Sequence, residues 1–403
     1  MQVDNTSIYH ELNQIKKIKN SPYNRAMQRR KFLHGITFLI AIFSGMNMFS
    51  ASFFERYFVI KKHLMFLSIG YLMAFFSVLI FDKNRSKVYR FFENSSIQYL
   101  IMALSCILLV IVGAIAENVK GAKVWLYIGG ISIQPAEILK IAFIINIAHF
   151  LRLRCEAKTK SLYTLLGLCI FGILYCGPIS FIQNDTGTAL HYIAIAGFMV
   201  FMSNVNKKWI MGIIGAGVTA LAVGFYTIYQ TVDVDQTKAY SLRRIKGYLV
   251  GLLFGDYSSD VSHQVGQGLI AFGSGGIAGK GYGNGVQKYS YIPEVHTDFI
   301  MSSFGEEFGF IGMLVLCIAF YGLFHTIMKV AEDSSDLFGR YIVIGIAGMI
   351  MTQFFINLFV ATGLFPVFGI PMPFFSSGGT SVITLFVGIS LVQMINNASL
   401  TKK

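Results

Sequence analysis

About ten apolar stretches, each close to 20 residues long, alternate with short polar segments along the chain. Stretches of this length predict membrane-crossing helices, because a helix satisfies its own backbone hydrogen bonds and a barrel strand needs only about 10 residues. Of 403 residues, 54% are hydrophobic and 13% charged, more apolar surface than a soluble domain can bury. The sequence therefore predicts an all-α polytopic membrane protein. The predicted spans lie near residues 32–53, 63–81, 97–115, 135–151, 161–181, 189–203, 209–227, 299–328, 337–361 and 381–397.

The positions of the basic residues predict how these spans are oriented. With the N-terminus in the cytoplasm, 21 of the 33 Lys and Arg lie on inner segments and 11 on outer loops. Both termini are then cytoplasmic, and one large loop at 229–297, between the seventh and eighth spans, is extracytoplasmic. This orientation accounts for the net charge of +13, so no nucleic-acid partner is predicted. The chain divides into a basic tail at 1–31, a membrane domain at 32–397 and a short tail at 398–403.

The outer loop is rich in glycine between Gly273 and Gly285, and it carries Lys280 and Lys288. Glycine permits backbone conformations that aim several N–H groups at one point, which makes a nest suited to pyrophosphate. A close-packed turn beneath neighbouring helices is an equally weighted alternative. A nucleotide P-loop is excluded, because Ser274 stands where G-x-x-x-x-G-K requires its first glycine.

The loop closes on Asp298, which opens the eighth span. With Thr297 as N-cap, the helix dipole favours an ionised carboxylate, and such a carboxylate at a membrane surface can act as a general base. A second cap is the alternative role for Asp298. Glu306 and Glu307 follow about 12 to 14 Å along the same helix, and Glu306 is on the side nearer Asp298. Both need a cavity or a buried basic partner, for which Lys140 is available.

Other polar residues lie at or near the starts of predicted spans. Glu137 and Lys140 are expected to pair with each other within one helix rather than to act in catalysis. Asp185 is expected to cap the sixth span, and Lys123 is placed to meet a phosphate on the outer face. Prolines and glycines between 366 and 379 predict a broken, re-entrant segment, which is tolerated at membrane depth only where it is buried in protein or lines a cavity.

Five ordered motifs resemble the SEDS family of bacterial cell-wall proteins, which contains FtsW, RodA and SpoVE, and together they cover nearly all of 32–397. The motifs are Gly121-Ala-Lys-Val-Trp-Leu with Gln134-Pro-Ala-Glu-Ile-Leu-Lys140, Asp185-Thr-Gly-Thr-Ala-Leu190, Gly273-Ser-Gly-Gly through Asn284, Pro293-Glu-Val-His-Thr-Asp-Phe-Ile300 with Gly305-Glu-Glu307, and Gly363-Leu-Phe-Pro through Gly379-Thr-Ser381. Met48-Phe-Ser-Ala-Ser52 resembles the division-type branch of FtsW more than the elongation-type branch of RodA, which stays an alternative. The departures from the family pattern are Val124, Ala136, Asn184 and Ser377.

The resemblance implies a peptidoglycan glycosyltransferase that polymerises lipid II on the outer face of the cytoplasmic membrane, during septal wall synthesis and cell division. It also implies that Asp298 is the essential carboxylate, and our hypothesis is that Asp298 takes the proton of the acceptor sugar's 4-hydroxyl. Lysines, the glycine nest or a divalent cation, Mg or Mn, would meet the leaving pyrophosphate. The candidate substrate-binding residues are Lys123, Glu137, Lys140, Asp185, Lys280, Lys288, Glu294, His296 and Glu306.

The resemblance further implies partners in the membrane. They are a class B penicillin-binding protein, other membrane proteins of the division machinery and the surrounding lipids. Two other functions stay open: a transporter that flips lipid II through broken helices and intramembrane acids, and a non-catalytic division scaffold that only recruits a transpeptidase.

Overall fold

The computed structural model describes residues 21–52, 57–119, 121–232, 240–257, 262–289, 292 and 295–398. Within these ranges the chain forms twelve α-helices, a π-helical turn at Pro178–Ile182 and one small antiparallel sheet. The helices are α1 (Pro22–Ala51), α2 (Tyr57–Glu93), α3 (Ser95–Ile115), α4 (Pro135–Glu156), α5 (Ser161–Gly177), α6 (Thr186–Phe201), α7 (Lys207–Thr231), α8 (Tyr240–Phe254), α9 (His263–Gly275), α10 (Ile300–Asp333), α11 (Leu337–Ala361) and α12 (Gly379–Ala398). The strands are β1 (Leu126–Ile128) and β2 (Ile131–Ile133).

Each predicted span corresponds to a helix, namely α1 to α7 and α10 to α12. Eight of the helices in the described part of the chain are long and apolar enough to cross a membrane. The remaining two are α4, which carries Glu137 and Lys140 in its first turns, and α6, which has 16 residues. At 1.5 Å per residue α6 is about 24 Å long, shorter than the hydrocarbon core of about 30 Å. The fold is that of an all-α polytopic membrane protein, as predicted.

The centre of the fold is α11, which contacts α4, α6, α10 and α12. The adjacent α12 packs mainly against α2 and α4, and most residues of both α11 and α12 are buried. Helix α7 is the opposite case, because Ile210 is its only buried residue among those described. An apolar helix that protein leaves uncovered is suited to face lipid.

Helix α10 is broken at Gly309, whose φ of 62° and ψ of −165° are not helical. In an unbroken helix the amides of Phe310 and Ile311 would donate to the carbonyls four residues earlier. Those carbonyls belong to Glu306 and Glu307, so the break frees two donors and two acceptors. The predicted span at 299–328 is therefore two helical pieces, with residues 300–308 forming a short first piece.

The glycine-rich segment 276–281 supplies the partners that this break removes. The amides of Lys280 and Gly281 donate to the two freed carbonyls at 3.0 Å, and the carbonyls of Gly276 and Ile277 accept from the two freed amides at 2.9 and 3.1 Å. Buried backbone groups need such partners, so the segment and the break stabilise each other.

The outer loop predicted at 229–297 includes two helices, α8 and α9, among its described residues. Helix α9 packs against α10 and α11, which joins the glycine-rich segment to the membrane domain. The broken segment predicted between 366 and 379 is non-helical from 362 to 378 and largely buried between helices. It runs from α11 back to α12.

Candidate functional site

Asp298 lies in a turn that precedes α10 by one residue rather than in the first turn of the helix. The helix begins at Ile300, with Phe299 as N-cap and no side-chain cap hydrogen bond, so the predicted N-cap role of Thr297 is wrong. The Thr297 carbonyl instead accepts from Ser376 Oγ at 2.6 Å. A tertiary hydrogen bond from the buried segment 362–378 therefore fixes this turn, and no local sequence pattern reports such a contact.

Two amide side chains of α11 hold the same turn and the buried segment together. Asn357 Nδ2 donates to Asp298 O at 3.0 Å and to Ile370 O at 2.9 Å. One helical turn earlier, Gln353 Nε2 donates to Pro371 O at 2.8 Å. Both amides are buried, so these bonds are made in a low-dielectric interior where their loss is costly.

The segment 368–369 lies between Asp298 and the start of α6. At Gly369, where φ is 74°, a Cβ atom would lie 3.8 Å from Asp298 Oδ2. At Gly187, a Cβ atom would lie 1.8 Å from the carbonyl oxygen of Phe368, so only glycine permits this approach. The start of α6, which Asp185 caps, therefore belongs to the same region as Asp298.

Asp185 caps α6 as predicted, with Oδ1 accepting from the amide of Thr188 at 2.9 Å. Its second oxygen accepts from the side-chain Nε2 of Gln134 at 3.1 Å, and the backbone amide of Gln134 donates to Thr380 Oγ1 at 3.3 Å. These bonds join the starts of α4, α6 and α12. Both carboxylate oxygens are thus occupied by structural donors.

Lys123 lies beside this cap through its backbone, because its amide donates to Gln183 O at 2.8 Å. Asn184, which follows Gln183, has a φ of 58° and donates from Nδ2 to Gly121 O at 2.7 Å. A proline could not adopt this φ. The Asn side chain instead fastens the Lys123 segment to the start of α6.

Glu306 is fully buried and is held by three donors from the glycine-rich region. Its carboxylate accepts from Lys280 Nζ at 2.6 Å, from the amide of Gln287 at 2.9 Å and from Ser274 Oγ at 3.3 Å. Glu306 has a basic partner, but this partner is the partly exposed Lys280 and not a buried base such as Lys140. Lys140 pairs within its own helix with Glu137, at 2.5 Å, as predicted.

Glu307 forms a second buried pair, with Lys288 at 2.5 Å. The same carboxylate oxygen accepts from Ser50 Oγ, and Lys288 Nζ also contacts Ser50 Oγ at 2.6 Å and Gly283 O at 3.0 Å. Nearby, partial burial and then the Glu307 carboxylate raise the pKa of the Tyr282 phenol. These contacts join α1, the glycine-rich region and α10.

Of the three lysines predicted to meet pyrophosphate, the two in the outer loop differ in exposure. The Lys280 side chain is 30% exposed, whereas that of Lys288 is 1% exposed and its amine already has three acceptors. The predicted glycine nest is also engaged, because the amides of Gly279, Lys280 and Gly281 donate to protein carbonyls. The structure thus favours the close-packed turn for this segment, and Lys280 is the more available cation.

Two further candidates for substrate binding are His296 and Glu294. His296 is half-buried, and its carbonyl accepts from the amide of Ser377 at 3.0 Å, another bond between this turn and the buried segment. Glu294 lies outside the described residues. Both roles in substrate binding therefore stay predictions.

Helix α8 contacts the buried segment in a way that the sequence interpretation missed. Arg244 Nη1 donates to Val367 O at 3.4 Å, and the Tyr248 hydroxyl donates to Leu364 O at 3.0 Å. The run Arg243-Arg244-Ile-Lys246 was the available signal, because it concentrates positive charge on one short helix. The acceptors Val367 and Leu364 lie two and five positions before Gly369, the glycine beside Asp298.

No group of three or more His, Cys, Asp or Glu that could hold a metal ion occurs among the residues that the structure describes. Asp185 is instead engaged by amides, and Glu306 and Glu307 are engaged by lysines and hydroxyls, with a backbone amide as well for Glu306. A divalent cation bound together with the pyrophosphate, Mg or Mn, stays a prediction.

Comparison with known families places this architecture among bacterial cell-wall proteins. The family model for FtsW, RodA and SpoVE, described as "Cell cycle protein", matches residues 27–400. A probable peptidoglycan glycosyltransferase FtsW from Trichlorobacter lovleyi is 32% identical over 361 residues, 88% of each chain. The stage V sporulation protein E of Bacillus subtilis is 29% identical over 376 residues, 90% of this chain and 96% of that protein.

Solved structures show the same fold. A chain from a peptidoglycan synthase complex that coordinates polymerization and crosslinking superposes with a TM-score of 0.71 at 24% identity, over 92% of this chain and 98% of that chain. The rod shape determining protein RodA of Thermus thermophilus gives a TM-score of 0.63 at 24% identity, over 92% and 97% of the two chains.

Proposed function

Because the chain belongs to the family of FtsW, RodA and SpoVE, we propose that it is a peptidoglycan glycosyltransferase that polymerises lipid II into glycan strands for the septal wall. The observation that carries the mechanism is the anchoring of Asp298. Its carbonyl is fixed by Asn357, its neighbour Thr297 by Ser376, and its side chain is only partly buried. A carboxylate on a rigid, accessible turn suits proton transfer.

In the proposed reaction Asp298 is the general base. The 4-hydroxyl of the acceptor sugar gives its proton to the Asp298 carboxylate while its oxygen bonds to the anomeric carbon of the donor. The bond from that carbon to the lipid pyrophosphate breaks, and the pyrophosphate leaves with the electron pair. Base assistance of this kind typically contributes a factor of about 10² to 10⁴ in rate.

The leaving pyrophosphate needs positive charge. We assign this part to Lys123, Lys280 and the arginines of α8 rather than to Lys288, whose amine is buried with three acceptors. Lys123 adjoins the start of α6, and Arg244 contacts the segment that precedes Gly369. A divalent cation bound by the substrate would add to this charge.

The proposed orientation places Asp298 and the outer loop on the extracytoplasmic face, with both termini in the cytoplasm. The chain would lie in the cytoplasmic membrane, where lipid II is presented outside. A class B penicillin-binding protein is the proposed partner, since one structural relative comes from a complex that couples polymerization with crosslinking. The transporter alternative draws support from the break in α10, because discontinuous helices are typical of transporters.

The test is lipid II polymerisation by the purified protein, with no soluble polymerase present. Wild type is expected to make glycan strands, and Asp298→Asn, which keeps the shape of the side chain, is expected to be about 10² to 10⁴ slower. Glu117→Gln is the matched control, because it removes an exposed carboxylate that follows α3.

The possible results separate the proposals. No glycan from folded wild type would refute the polymerase and favour the transporter. Glycan from Asp298→Asn at the wild-type rate would refute the general base alone. Thermal unfolding of each variant shows whether a lost rate reflects a lost fold.

A further inference from the structure

A polar pocket lies at the opposite end of the bundle from Asp298, where α4 ends and α5 begins. It has a volume of about 240 Å³ and is also walled by the α6–α7 connection and by α11. Its polar lining includes Arg154, Lys158, Ser161, Thr164, Ser203 and Tyr341. The proposed function makes no use of this pocket, because its residues belong to the ends of helices that are proposed to face the cytoplasm.

The lining of this inner pocket is positively charged and rich in hydroxyl groups. Among the described residues that line it there is no carboxylate. The nearest acid along the chain, Glu156, contacts Arg152 at 3.8 Å instead. Cations with hydroxyl donors and no competing acid are the chemistry that recognises a phosphate.

Apolar surface continues from the inner pocket along α5 and α7. The side chains of Leu162, Tyr163 and Leu166 on α5 are between 42% and 57% exposed, and Trp209 on α7 is 48% exposed. A Trp beside a basic cluster is typical of the membrane interface. A ligand in the pocket can therefore keep a phosphate among the cations and lay its chains on these two helices.

We propose that the inner pocket binds the headgroup of an anionic phospholipid of the inner leaflet, with the lipid phosphate between Arg154 and Lys158. The volume suits a headgroup rather than a larger ligand, since pockets for drug-sized molecules start near 300 Å³. Basic pockets between membrane helices on the cytoplasmic side bind such headgroups in general. The proposal rests on the proposed orientation, and it does not require catalytic activity.

The test is native mass spectrometry of the full chain in neutral detergent, titrated with phosphatidylglycerol or with phosphatidylcholine. Wild type is expected to retain one phosphatidylglycerol in preference to phosphatidylcholine. The variant Arg154→Gln/Lys158→Gln is expected to bind it about thirtyfold more weakly, from about 1 kcal/mol for each basic residue. Lys208→Gln/Lys329→Gln is the control, because it removes two lysines from the same proposed face outside the pocket.

A second variant tests whether the weaker binding comes from the pocket itself and not from a general loss of positive charge. Asn204→Phe adds bulk at an exposed lining residue without changing charge, and it is expected to weaken phosphatidylglycerol binding at least tenfold. The proposal would be overturned if the lysine control lost as much phosphatidylglycerol affinity as Arg154→Gln/Lys158→Gln. It would also be overturned if both pocket variants bound phosphatidylglycerol as tightly as wild type. Inorganic phosphate that binds as tightly as the lipid would also overturn it, because the ligand would then be a free anion. Polymerisation measured in parallel keeps this outcome separate from the proposed function.

Discussion

The buried pair of Lys288 and Glu307 offers a direct test of whether Lys288 is structural or binds substrate. Both side chains are at most 1% exposed, and the Lys288 amine is shared among Glu307, Ser50 and the carbonyl of Gly283. The variant Lys288→Met keeps the length of the side chain and removes its charge. It leaves an uncompensated buried carboxylate, so we expect a loss of about 3 to 5 kcal/mol in the free energy of unfolding.

The double variant Lys288→Met/Glu307→Leu is the decisive comparison. With both charges gone, the desolvation penalty disappears as well, and replacing a buried ion pair by apolar residues is often neutral. Ser50 then loses both partners, which costs about 1 to 3 kcal/mol. We therefore expect the double variant to recover about 2 kcal/mol of the loss seen in the single variant, the difference between the middle values of the two ranges.

The assay is SDS-induced unfolding in mixed micelles, with lipid II polymerisation measured on the same samples. A structural role predicts that activity returns together with stability in the double variant. If Lys288→Met costs less than about 1 kcal/mol, or if the double variant is no more stable than the single one, the reasoning from burial is wrong. If stability returns and activity does not, the pair contributes to the reaction beyond holding the fold, and a purely structural role for Lys288 is wrong.

Two further predictions concern the backbone around the site. Asn357→Leu removes the donor to Asp298 O and Ile370 O, so we expect a loss of about 2 to 6 kcal/mol in stability and at least tenfold slower polymerisation in the variant that still folds. If the fully folded variant polymerises lipid II at the wild-type rate, Asn357 has no role in positioning Asp298. Gly279 has a φ of 82°, and Gly279→Ala puts a Cβ 2.2 Å from Glu307 O. We expect unfolding assays to show a much larger loss of stability for this variant than for Gly283→Ala. Gly283 has a similar φ of 83° but open space around it, so Gly283→Ala measures the cost of the positive φ alone, about 1 kcal/mol. Equal losses of stability in the two variants would contradict the packing argument.

Local patterns in the sequence predicted the helices and the contacts made within them. Hydrophobic length located a helix for each of the ten predicted stretches, and eight of these helices are long and apolar enough to cross a membrane. The reason is that an unsatisfied backbone is costly in lipid, which forces helices of that length. The Glu137–Lys140 pair and the Asp185 cap were also predicted, since each depends on residues three positions apart in one helix. Such interactions are fixed once the helix forms.

Contacts between distant parts of the chain could not be predicted in this way. Lys280 and Glu306 are 26 residues apart, and their pairing follows from how the glycine-rich segment docks into the break of α10. The cap expected at Thr297 failed for the same reason, because a bond from Ser376, 79 residues away, fixes that turn. Gln353 has no local feature that marks it as a clamp for the buried segment.

The first piece of α10 is what links these distant contacts to the proposed chemistry. Residues 300–308 span about 13 Å at 1.5 Å per residue, with Asp298 just before one end and the two buried glutamates near the other. The Asn357 and Ser376 bonds hold the first end, and the two lysine pairs with the inserted glycine segment hold the second. A short helix held at both ends has little freedom to tilt or turn. The buried glutamates therefore contribute to the position of Asp298, and the proton transfer proposed for Asp298 depends on that position, because a base must lie within hydrogen-bond distance of the sugar hydroxyl.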